Sequence, residues 1–196
     1  NGIDLSGEGG IVWIKSRNNS YDHRLTDTER GLGKALESNT TDAEATTAHC
    51  VNGSFNSDGF SLSNTGTPSA VNTSGDSICS WTFRKCPKFF DVITYTGTGS
   101  ATTVAHNLGS VPGMIIVKRT NATSSWYVYH RSLGATKELR LNSNNSANTS
   151  SIYWNDTEPT SSVFSVGTSA GVNASGDSYV AYLFAHNEQE FGTGGD

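Results

Sequence analysis

The chain has 196 residues, with 13 Lys and Arg against 18 Asp and Glu, a net charge of −5 and charged residues at only 16%. Such a surface offers a nucleic acid little to hold, because that affinity rests on lysines and arginines displacing counterions. No apolar run approaches the roughly 20 residues needed to cross a bilayer, the best being SYVAYLFA at 178–185.

In chain order, IVWIKSR at 11–17 reads as a strand, rich in β-branched and aromatic residues. RGLGKALESN follows at 30–39, and TDAEATTAH at 41–49 reads as a loop or one short helix opened by Asp42. DGFSLS at 58–63 and SICSWTF at 77–83 are strand-like, the second placing Cys79, Trp81 and Phe83 on one face by period-two alternation. Between them VNTSGDS at 71–77 reads as a turn, since Asn, Ser, Gly and Asp tolerate left-handed backbone and bond their own main chain. Pro87 breaks the strand, and DVITYTG at 91–97 and ATTVAHN at 101–107 form two further strands before a turn at Pro112-Gly113. MIIVKRT, WYVYHR, KELRLN, SVFSVG and SYVAYLF continue the series of short strands to residue 184.

The series is written twice. VNTSGDS returns as VNASGDS at 172–178, IVWIKSR as MIIVKRT at 114–120, RGLGKALESN as RSLGATKELRLN at 131–142, and DGFSLS as SVFSVG at 162–167. SICSWTF returns as SYVAYLF, so that Cys79, Trp81 and Phe83 correspond to Val180, Tyr182 and Phe184. Four segments, VNTSGDSICSWTF counted as one, match in one order and imply a duplicated unit. The expected architecture is all-β: two tandem antiparallel β-sandwich modules of jelly-roll or lectin-like kind. The first module spans 1–90, the second 91–186, and 187–196 is a linker. The leading strands at 91–107 have no counterpart ahead of the first module. Together with the start at Asn1 and the FGTGGD end, this predicts a piece of a longer array.

Chemistry is sparsely signalled. Cys50, Cys79 and Cys86 are an odd set without a CxxC pair, and the 5 histidines are scattered, so neither a disulfide framework nor a metal site is expected, and no cofactor. Reduced thiols imply folding in a reducing cytoplasm. GTSAG at 167–171 matches the GxSxG nucleophile elbow by letter, but that motif needs a strand before and a helix after Ser169, and a turn between two strands is expected here. Asp156 with Glu158 and Glu188 with Glu190 are closely spaced carboxylate pairs of the kind glycoside cleavage needs, and both read as solvated charge. No enzyme is expected.

Sugar binding needs a flat ring for stacking with amide or carboxylate groups beside it. YWNDT supplies Tyr153, Trp154, Asn155 and Asp156 together, and WYVYHR supplies Trp126 with Tyr127, Tyr129, His130 and Arg131. Packing competes as a role for each ring. Trp154 is the one expected at the surface, because polar residues follow it directly. The abundant Asn-X-Ser/Thr triplets follow from composition.

The runs GIVWIKSRNNSYDHRLTDTERGLGKALESNTTDAEAT, SWTFRKCPKFFDVITYTGTGS, HNLGSVPGMIIVKRT, WYVYHRSLGATK, WNDTEPTSSVFSVGT and SYVAYLFAH cover most of the chain. They resemble tandem modules in long virion proteins of tailed phages, marine and cyanobacterial ones especially. The resemblance implies a structural role on the virion surface, in a tail fibre or similar appendage binding host surface glycan. A capsid decoration or head-fibre protein and a tailspike depolymerase module are the alternatives. It implies other virion proteins and further copies, trimers included, as partners, with assembly in the host cytoplasm. It brings no catalytic or binding residues with it.

Overall fold

The computed structural model describes residues 2–62 and 70–186. In the first half the strands are β1 (Gly10–Ser16), β2 (Arg24–Asp27), β3 (Lys34–Ala35), β4 (Ala45–Thr46), β5 (Ser54–Asn56), β6 (Gly59–Ser61) and β7 (Ile78–Arg84). The second half has β8 (Phe90–Thr96), β9 (Thr102–Ala105), β10 (Pro112–Arg119), β11 (Trp126–His130), β12 (Lys137–Arg140) and β13 (Asn148–Thr149). It ends with one-turn helix α1 (Ser151–Trp154), β14 (Val163–Val166), one-turn helix α2 (Ala170–Asn173) and β15 (Ser178–Ala185). The protein is all-β, and every strand pairing is antiparallel.

Two sheets dominate. One runs β2-β1-β7 and the other β13-β12-β11-β10-β15-β8, with the pairs β3-β4, β5-β6 and β9-β14 beside them. The repeat seen in the sequence is written into their registers. Lys15 stands opposite Cys79 as Lys118 stands opposite Val180, and Ile11 faces Asp27 as Met114 faces His130. Smaller details recur too. Lys34 Nζ donates to Thr46 Oγ1 at 3.0 Å, and Lys137 Nζ to Thr149 Oγ1 at 3.0 Å. In the two heptapeptides Gly75 and Gly176 take φ of 86° and 78°, which a side chain would resist, and the following aspartate N–H closes each turn onto Thr73 O and Ala174 O.

Alternation along the two central strands separates three cores. Val12 and Ile14 of β1 point away from the larger sheet, into a core with Leu5, Val51, Ala70 and Val71. Ile115 and Val117 of β10, their counterparts, point into a core with Tyr129, Trp154, Phe164 and Tyr179, beneath β9-β14 and the two helices. The opposite faces meet each other. Ile11, Leu25 and Leu36 of the first half bury against Ile116, Trp126, Val128 and Tyr182 of the second, while Phe83 meets its own counterpart Phe184 edge-on at 5.6 Å. Because corresponding faces form this middle core, the duplicated unit packs on itself as two subunits do across a self-complementary interface. Each Leu- or Ile-sized side chain buried there contributes about 1.5–3 kcal/mol. The halves are therefore joined by apolar area as well as by the link between β7 and β8.

The segment 41–49 forms no helix. Ala45 and Thr46 pair with β3, and Glu44 N–H donates to Thr120 O at 2.7 Å across the halves. So short a helix is marginal alone, and cross-strand and cross-half partners take its backbone groups instead.

Candidate functional site

An open groove of about 700 Å³ lies at one end of the six-stranded sheet, lined by Lys88, Val111, Tyr129, Arg131, Glu158 and His186 among others. Arg131 follows directly on β11, where its N–H bonds Gly113 O at 2.9 Å, and His186 follows directly on β15. The ends of the two strands that flank β10 thus bring the two side chains together, with Arg131 Nη1 at 2.6 Å from His186 Nδ1. Partial desolvation and the charges of Arg131 and His130 hold His186 below the ordinary imidazole range, so it stays neutral and accepts that hydrogen bond.

Glu158 is fixed from the other wall. Tyr129 OH donates to Glu158 Oε2 at 2.5 Å and Ala135 N–H to Oε1 at 2.8 Å. Burial, together with the carboxylate that it bonds, pushes the Tyr129 phenol up, so it remains a donor at all physiological pH. Lys88 holds a left-handed φ of 61°, a conformation costing a non-glycine residue about 1–2 kcal/mol. Its N–H is pinned to Leu108 O at 2.6 Å. The groove therefore presents two cations, one anchored carboxylate and the hydroxyl of Ser161. Such a set can bond a hydroxylated ligand and favours one that carries an acid group.

Of the aromatic residues singled out in the sequence, Tyr129 stands in the wall of this groove, whereas Trp126, Tyr153 and Trp154 are buried elsewhere. Trp126 is 0% exposed, stacks on Tyr182 at 6.4 Å and donates from Nε1 to Glu37 O at 2.9 Å, which makes it part of the middle core. Trp154 is 2% exposed and sits edge-on to Tyr129, while Tyr153 stacks on Tyr127 at 4.8 Å. The expectation that Trp154 faces solvent is corrected for a local reason. After α1 the chain turns sharply through left-handed Asn155 and Asp156, at φ 54° and 48°, so the rings fold inward and the polar pair outward. Only Asn155 and Asp156 of that set are exposed. Both faces of WYVYHR are buried, Trp126 and Val128 toward the first half and Tyr129 toward the outer core.

Sequence reasoning missed a large ring left open. Trp81 is 47% exposed and stands edge-on to Trp13 at 6.0 Å, whose indole N–H donates to His23 Nδ1 at 2.8 Å. Its counterpart Tyr182 is buried. Both positions alternate correctly within their strands, so period two alone cannot separate them.

A second polar cluster is largely buried. Asp27 accepts from Arg30 Nε at 2.7 Å and from Tyr182 OH at 2.8 Å, and Arg30 Nη1 reaches the partly exposed Glu44 Oε2 at 3.2 Å. With Asp27 buried and Tyr182 contributed by the other half, this network ties the halves.

Ser169 lies between β14 and β15, and the turn expected there is the one-turn helix α2. The Ser169 side chain accepts the Gly171 N–H at 3.2 Å and so serves as the helix N-cap. Glu158 is the anchored groove carboxylate, whereas Glu188 and Glu190 lie outside the described residues. Among the described residues no three His, Cys, Asp or Glu side chains are grouped to hold a metal.

A family model described as Domain of unknown function (DUF7483) matches residues 3–193. No curated protein and no solved structure matches the chain.

Proposed function

The chain belongs to the DUF7483 family across nearly its whole length, and we propose that it is a non-enzymatic structural unit of a phage virion appendage, of tail-fibre kind. On this reading it offers the Arg131–Glu158 groove to a glycan of the host surface. The observation that carries the reading is the self-packed duplicate: corresponding sheet faces joined through a middle apolar core, a rigid body suited to spacing and display. The polar surface and low charge agree with endurance outside a cell. Its partners are then other virion proteins and further copies of itself.

Two measurements test it. Antibody-labelled microscopy of intact virions should place the chain on a projecting appendage, and a head location would replace this setting with a decoration role. A glycan array should show binding, concentrated among acidic sugars, that Arg131→Ala weakens about tenfold or more, as loss of one charge-assisted contact does. A blank array removes the glycan part, and cleavage of a polysaccharide by the protein overturns the non-enzymatic part.

A further inference from the structure

The two halves differ at one edge. In the second half β15 is flanked on both sides, by β10 and by β8. In the first half its counterpart β7 is flanked by β1 alone, and among the described residues no strand pairs with its outer side. The exposure follows: Ser80 and Trp81 face solvent where Ala181 and Tyr182 are buried.

Register identifies which groups wait there. Arg17 N–H bonds Ser77 O at 2.7 Å and Lys85 N–H bonds Gly9 O at 2.9 Å. Between these ends Cys79, Trp81 and Phe83 share alternate rungs with β1. Antiparallel ladders alternate their bonds, so Ile78, Ser80 and Thr82 turn N–H and C=O outward. The corresponding rungs of β15 are filled: Tyr179 pairs with Tyr95, Ala181 with Ile93 and Leu183 with Asp91.

We propose that the outer edge of β7 is a docking site for one antiparallel strand with the character of β8, donated by a neighbouring module of the same family. The source follows from connectivity within this chain. After β7 the chain turns at once, Cys86 N–H bonding Phe90 O at 2.9 Å, and becomes the strand that flanks the last strand of the next half. Repeated along an array, the same connection delivers a β8-type strand to each such edge. By the register of β15 and β8, a donor residue in the place of Val92 stands opposite Trp81, and one in the place of Ile93 opposite Ser80. The exposed ring is then covered as Tyr182 is flanked in the second half. This is strand addition to a sheet edge, in which main-chain bonds carry affinity and alternate side chains carry register. The inference is independent of the glycan reading.

The test uses the whole chain and a labelled peptide of residues 87–97, PKFFDVITYTG. Saturable binding by fluorescence anisotropy is expected, with tryptophan emission shifting to shorter wavelength as Trp81 is covered. A peptide N-methylated at Ile93 lacks the amide hydrogen that meets Ser80 O and should bind about tenfold or more weakly. Ser80→Pro removes only an outward N–H and should weaken the unmodified peptide similarly, its fold checked by circular dichroism. The methylated peptide keeps the test decisive if that variant unfolds. Absence of binding, or binding indifferent to both changes, overturns the proposal. So does sedimentation showing that the chain pairs with its own copy through this edge.

Discussion

Replacing Asp27 by Asn probes the joint between the halves directly. Asp27 is 0% exposed, and its carboxylate accepts from Arg30 Nε at 2.7 Å, from Arg30 N–H at 2.9 Å and from Tyr182 OH at 2.8 Å. Asn keeps the shape and removes the charge, leaving a guanidinium whose side chain is 4% exposed to face one carboxylate, Glu44, with the Tyr182 hydroxyl and main-chain carbonyls. Breaking a buried pair from one side costs about 3–5 kcal/mol. At roughly 2–4 °C per kcal/mol for a chain of this size, Tm should fall by roughly 6–20 °C. Glu29→Gln is the control, because the Lys85–Glu29 pair is partly exposed, at 25% and 35%, and surface pairs are worth about 0–1 kcal/mol. Guanidinium unfolding followed by far-ultraviolet dichroism and by tryptophan emission gives both free energies. Because Tyr182 comes from the other half, the two probes should report one transition. A loss below about 1 kcal/mol for Asp27→Asn, or separate transitions in the wild type, would refute the account of a single body locked by this network.

Four further outcomes follow from the same geometry. Tyr182→Phe should cost about 1.5–3 kcal/mol, the worth of a hydrogen bond to a charged group, whereas Trp81→Phe at the corresponding exposed position should change stability by less than about 0.5 kcal/mol; equal costs would contradict the assignment of faces. Trp154→Ala should lower stability by about 3–5 kcal/mol, and a fully stable variant would mean that the ring is not in the outer core. Burial pulls the Lys118 amine down to about 8. The unfolded chain binds that proton more readily, so stability should climb from pH 8 toward 10 by up to about 1.4 kcal/mol per unit. The rise is read as the difference between wild type and Lys118→Met at each pH, and a flat difference refutes it. Burial also holds His23 and His106 below the ordinary imidazole range. The unfolded state takes up protons first as pH falls through about 6.5, so stability present at pH 7 should decline toward pH 5. His23→Gln with His106→Gln should flatten that decline in acid denaturation curves.

The alternating β-branched and aromatic runs, the Asn-Ser-Gly-Asp turns and the doubled order of segments were legible from the residues alone. These are local signals: period two places side chains on opposite faces of any strand, and Gly75 and Gly176 mark their turns wherever the chain goes. The candidate site was not legible. Arg131 and His186 are far apart in sequence and meet because β10 seats β11 and β15 at its two sides, while Glu158 is brought to them by its bonds to Tyr129 and Ala135. Trp154 was misplaced because exposure depends on which way the chain leaves α1, a matter of two left-handed residues that polar composition does not reveal. Trp81 and Tyr182 have equivalent sequence settings and opposite fates, since burial of one copy's face depends on what the rest of the molecule lays over it. Local periodicity thus determined the strands and their repetition. Only long-range packing decided that the two copies close on each other, which charges that closure buries, and which edge and groove it leaves to solvent.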